Sequence, residues 1–149
     1  VIKFMQPLKY TRKASDLLLK KAYPNDAAYD LPANEKATIE PGERKLISTG
    51  ISIQLPEYTM GTVCSRSGLA KEYGVNVINS PGIIDQNYRG VIGVILLNQG
   101  AESFVVERKM RIAQLVVVPV VHTQALLSPF LDTTDRGAEG FGSSGLISG

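Results

Sequence analysis

Apolar residues in this chain come in short runs, rich in Val and Ile, that proline, glycine or polar clusters cut off. The longest runs, residues 91–97 and 115–121, fall far below the roughly 20 apolar residues a membrane-spanning helix needs. They also lack the 3.6-residue period of a long amphipathic helix. Residues 45–55 end in the alternation Ile51-Ser52-Ile53-Gln54-Leu55, and Pro56 stops it, which reads as a half-buried strand. Glu40-Pro41-Gly42-Glu43 signals a turn before it. Residues 91–97 are expected to be buried on both faces. Residues 112–118 read alike, and Pro119 implies an edge or bulge beyond them. Helix is scarce. Residues 67–73 form one candidate, with Ser67 as its N-cap and Gly74 just past its end, and residues 15–22 form another. Many short strands at close spacing point to an all-β fold, a sandwich or jelly roll.

The 149 residues suffice for one domain with a core, and 44% hydrophobic with 20% charged residues is ordinary for a globular protein. The formal charge of +2 is small and no Lys/Arg block occurs, so a nucleic-acid polymer is not the expected partner. Cys64 is the only cysteine, which excludes an intrachain disulfide and fits a reducing compartment. His122 is the only histidine, which excludes a multi-histidine metal site within one chain. No signal peptide or membrane span is read. The expected location is cytoplasmic, or intracellular in a host for a viral chain.

The last segment is unlike the rest. Arg136-Gly137-Ala138-Glu139-Gly140-Phe141-Gly142-Ser143-Ser144-Gly145 cannot build a core, because glycine loses the most entropy on ordering and only Phe141 can pack. Glycine N–H groups, serine hydroxyls and one guanidinium do suit a chain of phosphates, and Phe141 can stack on a flat base. Residues 1–131 therefore read as a domain, and 132–149 either as a disordered tail or as an arm that orders over a nucleotide triphosphate.

Four polar islands interrupt the strands. Ala27-Ala28-Tyr29-Asp30-Leu31 places one carboxylate near a strand start, either as a solvated turn residue or in support of a metal–phosphate site. Ser65-Arg66-Ser67-Gly68-Leu69-Ala70 puts a guanidinium, a hydroxyl and a glycine at a helix start, a ready anion site. Residues 79–90, Asn79 to Gly90, read as a hairpin through Pro81-Gly82 and Asn87. Within it the Asp85 carboxylate can orient a water and accept its proton. Tyr88 can pack on a sugar ring or simply in a core. In Arg111-Ile112-Ala113-Gln114-Leu115 an amide sits inside an apolar strand and needs a partner. That partner is structural, or it is a phosphate or water.

The ordered set AAYDL, SRSGLA, NSPGIIDQNYRG, RIAQLV and RGAEGFGSSG resembles the five motifs of the homotrimeric deoxyuridine triphosphatases (dUTPases), over residues 27–145. The resemblance implies a jelly-roll (β-clip) subunit, three sites shared at subunit interfaces, and Mg²⁺-assisted hydrolysis of dUTP to dUMP and pyrophosphate. That reaction would limit uracil incorporation into DNA and supply dUMP for dTMP synthesis. By the same resemblance Asp85 activates the attacking water. Asn79, with the backbone of Gly82, Ile83 and Ile84, reads uracil. Tyr88 packs under deoxyribose, and Gly93 lines that pocket. Arg66, Ser67 and Gly68 bind phosphate, and Gln114 contacts phosphate and water. Asp30 supports the metal–triphosphate geometry, acting on Mg²⁺ through water while the phosphates hold most of the ion. Arg136, Ser143 and Ser144 contact the γ-phosphate, with Gly142 beside them, and Phe141 stacks on uracil.

Ser65 stands where that family commonly has proline, Ala28 where it has glycine, and Lys109-Met110 where it has glycine and an acidic residue. None of these removes an expected catalytic group. Two other functions compete. A dCTP deaminase on this fold needs a carboxylate at the position of Ile95, which argues against it. A non-catalytic nucleotide-sensing regulator would not need Asp85, which is present.

Overall fold

The computed structural model describes residues 6–147; the outer ends expected for the domain and the arm, residues 1–5 and 148–149, lie outside them. Its elements are strands β1 (Lys9–Arg12), β2 (Ala28–Pro32), β3 (Ala37–Ile39), β4 (Arg44–Ser48), β5 (Ile51–Gln54) and β6 (Thr59–Cys64), then helix α1 (Ser67–Tyr73). Strands β7 (Val75–Val77), β8 (Gly82–Ile84), β9 (Gly93–Asn98), β10 (Phe104–Val106) and β11 (Arg111–Pro119) come after it. The strands form a four-stranded sheet β2-β11-β6-β8, a three-stranded sheet β4-β9-β7 and two ribbons, β1-β5 and β3-β10. Every pairing of these strands is antiparallel. The fold is all-β and jelly-roll-like, as expected. Leu31, Ile39, Ile47, Ile51, Ile92, Val94, Leu96, Val106, Ile112 and Leu115 are fully buried among these layers.

Four local readings change. Residues 45–55 are two strands, because Gly50 takes φ +67. A Cβ there would lie 2.7 Å from Leu17 Cδ1, so glycine serves both the kink and the close approach. Residues 15–22 contain no helix. Leu17 and Leu19 are buried and Leu18 is exposed, a period of two that three adjacent leucines hide. Lys20 then bridges to Asp30, whose N–H donates to Lys20 O at 2.9 Å. Residues 91–97 are not buried on both faces: Val94 and Leu96 are buried, but Ile95 and Leu97 are half-buried, because an antiparallel sheet can leave one face uncovered. Residues 79–90 make no paired hairpin, since β8 bonds to β6 while β9 bonds to β4 and β7. The chain between β8 and β9 crosses from one sheet to the other.

Helix α1 begins one residue earlier than its sequence signals. Arg66 is the N-cap, with no side-chain cap bond, and Ser67 is the first helical residue. Gly74 ends the helix in the left-handed region at φ 67, as expected. Pro119 closes β11 where only β6 remains as a neighbour: β2 stops at the Ala28–Val116 pair, and β11 runs on to pair Pro119 with Thr59. The missing N–H therefore costs no central ladder bond.

Candidate active site

Strand register assembles the first half of the site. Gln114 on β11 faces Asp30 on β2 and Cys64 on β6, so these three side chains form one row across the sheet. Ala28 and Val116, two residues along, share that face. Together with Arg66, Ser67, Gly68 and Arg111 they line a cleft of about 500 Å³. The neighbouring row, Tyr29–Leu115–Val63, faces the other way, and Leu115 and Val63 are buried there.

Asp30 is held between two guanidinium groups. Arg66 Nε lies 3.6 Å from Asp30 Oδ1, and Arg111 Nη1 donates to Asp30 Oδ2 at 3.3 Å. Arg66 Nη1 also donates to the Arg111 carbonyl at 2.9 Å. Half-buried Gln114 satisfies its amide by donating Nε2–H to Ser65 O at 2.8 Å. Ser65 in turn accepts from Val77 N–H at 2.9 Å through its hydroxyl, and donates its own N–H to Ser80 Oγ at 3.1 Å. This serine thus ties the loop before α1 to the turn after β7, a bracing role that needs no proline. The cleft lining carries two guanidinium groups, Arg66 and Arg111, and two carboxylates, Asp26 and Asp30; the guanidinium N–H groups are donors suited to phosphates.

Arg111 was not assigned a role from sequence. In a regular strand, residues three apart point to opposite faces, so Arg111 would face away from Gln114. A register shift between Arg111 and Ala113 restores it to the same cleft, as a bulge does. The side effect is visible in packing: Ile112 and Ala113 are consecutive and both buried.

A second, smaller recess has a volume of about 220 Å³. Asn79, Gly82, Ile83, Ile84, Asp85, Tyr88 and Gly93 all line it, with Val63, Val77 and Ile92 at its apolar floor. Strand β8 is the edge of its sheet, so part of its backbone N–H and C=O groups is free to bond a planar ligand. Tyr88 folds over Gly90, and a Cβ at Gly90 would overlap the phenol ring. Its Oη–H donates to Val91 O at 3.1 Å, which locks the ring at the recess mouth. Asp85 lies at the end of β8 with an exposed side chain. Arg89 Nη1 donates to the Gln86 and Tyr88 carbonyls at 2.7 and 3.0 Å, bracing the turn that carries both groups.

The cleft and the recess share no lining residue. Cys64 lines one and Val63, its neighbour on β6, lines the other, so they open from opposite faces of that strand. Neither is lined by any residue of 121–147, all of which are exposed. Within that segment Arg136 donates Nε–H to Glu139 O at 2.9 Å and Nη2–H to Ser143 Oγ at 3.2 Å. Phe141 is fully exposed, and Gly142 and Ser144 lie beside it. The structure therefore gathers the expected site residues into three groups that are separate within one chain.

No group of three His, Cys, Asp or Glu side chains able to hold a metal occurs among the described residues. No helix among them is long and apolar enough to cross a membrane.

Known proteins share this sequence and this fold. The family model for dUTPase matches residues 15–145. The chain is similar to the deoxyuridine 5'-triphosphate nucleotidohydrolase of Gloeothece citriformis, with 45% identity over 142 residues covering 95% of this chain and 98% of that protein. The enzyme of the same description from Clostridium novyi is 48% identical over 126 residues, 85% of this chain and 89% of its own. Among solved structures, a point variant of the Staphylococcus bacteriophage 80alpha dUTPase with dUpNHpp superposes with TM-score 0.87 at 25% identity, over 95% of this chain and 100% of that one. A dUTPase of phage phi11 of S. aureus that coordinates a structural Mg(II) ion shares the fold, with TM-score 0.77 at 21% identity over 84% of this chain and 98% of that one.

Proposed function

The chain belongs to the dUTPase family, and we propose that its cleft, its recess and its exposed arm are three parts of one dUTP site completed by neighbouring copies. The reaction is the hydrolysis of dUTP to dUMP and pyrophosphate. The observation that carries the shared site is the opposite facing of Val63 and Cys64 on β6. A nucleotide seated in one recess reaches a charged cleft only if another chain supplies it. The exposed apolar side chains Leu126, Leu127, Phe130 and Leu131 support a homotrimer in which this segment packs on another copy. So does Leu46, exposed beside half-buried Ile95 on the open face of β4-β9-β7.

The nucleoside enters the recess. Free backbone groups of Gly82, Ile83 and Ile84 meet the donor and acceptor edge of uracil as a paired strand would, with Asn79 beside them. The Tyr88 ring packs against deoxyribose and leaves no space for a 2′-hydroxyl, and Gly93 keeps the wall low. Asp85 aligns a water on the α-phosphorus and takes its proton as the oxygen–phosphorus bond forms, while the pyrophosphate oxygen leaves on the opposite side. Arg66, Ser67, Gly68 and Gln114 of the cleft hold the phosphates, and Arg111 adds charge. Arg136, Ser143 and Ser144 of the arm bind the γ-phosphate, Gly142 lets the arm approach closely, and Phe141 covers the base. Most of the rate comes from positioning, an effect that reaches about 7–11 kcal/mol.

Mg²⁺ would fit this cleft as an ion that arrives on the triphosphate, since Asp30 is already ion-paired with two arginines and no protein cage surrounds it among the described residues. Bound there, it neutralises charge on the leaving pyrophosphate. Asp30 acts chiefly by positioning Arg66. Deamination of dCTP is disfavoured because Ile95 offers no carboxylate. A purely regulatory role is disfavoured because Asp85 lines the recess.

The test is pyrophosphate release from dUTP, dTTP, dCTP and UTP, with and without Mg²⁺, for the parent and Asp85→Asn. The expected result is turnover of dUTP alone. Asp85→Asn should lose about 10²–10⁴ in kcat while still binding a non-hydrolysable analogue. Turnover by Asp85→Asn at the parent rate would remove Asp85 from the mechanism.

A further inference from the structure

Tyr58 occupies the left-handed region at φ 61, a conformation that is a genuine outlier for a bulky side chain. Nothing in the reaction uses it directly. Three contacts from two other segments converge on it. Its N–H donates to Gln86 Oε1 at 3.1 Å, and Gln86 lies between Asp85 and Tyr88 in the chain. Its carbonyl accepts from Val120 N–H at 2.8 Å, one residue beyond the end of β11. Its ring meets the His122 ring edge-on, with centroids 5.7 Å apart and an interplanar angle of 67°. The residue is still 63% exposed, so core burial does not explain an aromatic here. Glycine would adopt this backbone freely but would offer His122 nothing to pack on.

We infer that Tyr58 is a positioning residue that clamps the start of the segment leading from β11 to the arm to the turn carrying Asp85 and Tyr88. The clamp sets the direction in which the arm leaves this chain, and it links that departure to the shape of the chain's own nucleoside recess. The inference rests on the reading of the arm as the cover of a dUTP site. It adds a specific residue, outside the motifs, that holds the arm ready. Shortening the free segment between β11 and the arm reduces the conformational freedom lost on closure.

The experiment compares Tyr58→Gly and Tyr58→Phe with the parent. Glycine keeps both backbone hydrogen bonds and the positive φ while deleting the ring; phenylalanine keeps the ring. Tyr58→Gly should melt at or above the parent temperature, so that a kinetic change in this variant does not come from misfolding. Its KM for dUTP should rise about tenfold with kcat within about twofold, the order expected when one ordered residue is released. Amide exchange at residues 120–122 should quicken in parallel. Tyr58→Phe should restore both, and His122→Ala combined with Tyr58→Gly should be no worse than either alone. Parent-like KM and amide exchange in Tyr58→Gly, or a failure of Tyr58→Phe to rescue, would overturn the inference. A chain truncated before Arg136 serves as the control. If truncation abolishes turnover while Tyr58→Gly has no effect, only the clamp is wrong. If truncation leaves turnover intact, the reading of the arm itself has failed.

Discussion

Replacing Asp30 with Asn separates two roles for the same carboxylate. The side chain is 16% exposed and lies between Arg66 and Arg111. Hydrogen bonds to charged groups contribute about 1.5–3 kcal/mol, but this geometry belongs at the low end. The Arg66 approach of 3.6 Å is too long for a hydrogen bond, and the Arg111 contact of 3.3 Å is near the limit. Arg66 also keeps its bond of 2.9 Å to the Arg111 carbonyl. A loss of about 1.5 kcal/mol corresponds to roughly tenfold in affinity. Asp30→Asn should therefore raise KM for dUTP about tenfold, with kcat within about twofold and an unchanged Mg²⁺ half-saturation. The assay is steady-state pyrophosphate release over a grid of dUTP and Mg²⁺ concentrations. If Mg²⁺ half-saturation rose tenfold while KM at saturating Mg²⁺ stayed at the parent value, Asp30 would act on the metal and the positioning argument would be refuted.

Lys109 takes φ 72 at the third position of the turn from Glu107 to Met110, whose ends are joined by a 3.0 Å hydrogen bond. Left-handed backbone costs a non-glycine residue about 1–2 kcal/mol, and glycine's greater freedom in the unfolded chain returns part of that. Lys109→Gly should thus gain up to about 1 kcal/mol and raise the melting temperature by about 2–4 °C; an unchanged or lower melting point in calorimetry would count against the strain. The Asp16 carboxylate receives Arg108 Nη1–H and Nη2–H at 2.6 and 2.7 Å. Those bonds bring its pKa down to about 2 from the ordinary 3.8. Being depressed on folding, this group contributes stability above the ordinary value, and the contribution fades as pH falls through about 2. A carboxyl NMR titration should place the midpoint there and move it back toward 3.8 in Arg108→Ala; an ordinary midpoint in the parent would show that the bridge does not form in solution.

The islands that line the cleft and the recess were legible because each is a local departure from strand chemistry. Asn79, Gly82, Asp85 and Tyr88 fall within ten residues of one another, so one turn brings them to one recess. The row Asp30–Gln114–Cys64 was not legible. It depends on the register of three strands far apart in sequence, and a shift by one residue would send all three to the opposite face. Arg111 was hidden for a related reason: the bulge that turns it into the cleft leaves no mark in an uninterrupted apolar strand. Leu17-Leu18-Leu19 gave no period from which to choose between helix and strand. The break at Gly50 was missed because it interrupts what otherwise reads as one continuous strand. Tyr58 escaped notice because a positive φ at an aromatic residue has no sequence signal, whereas Gly74 announced its left-handed cap.

The central claim is that one dUTP site needs a recess from one chain and a cleft from another. Co-expression of Asp85→Asn with Arg66→Ala tests it most directly. Each variant alone should be nearly inactive. If the proposed trimer forms, about a quarter of the sites in mixed assemblies should join an intact Asp85 to an intact Arg66 by random assembly, restoring activity in that proportion. Activity no greater than the sum of the two separate variants, in trimers shown to be mixed, would mean that each chain builds its site alone.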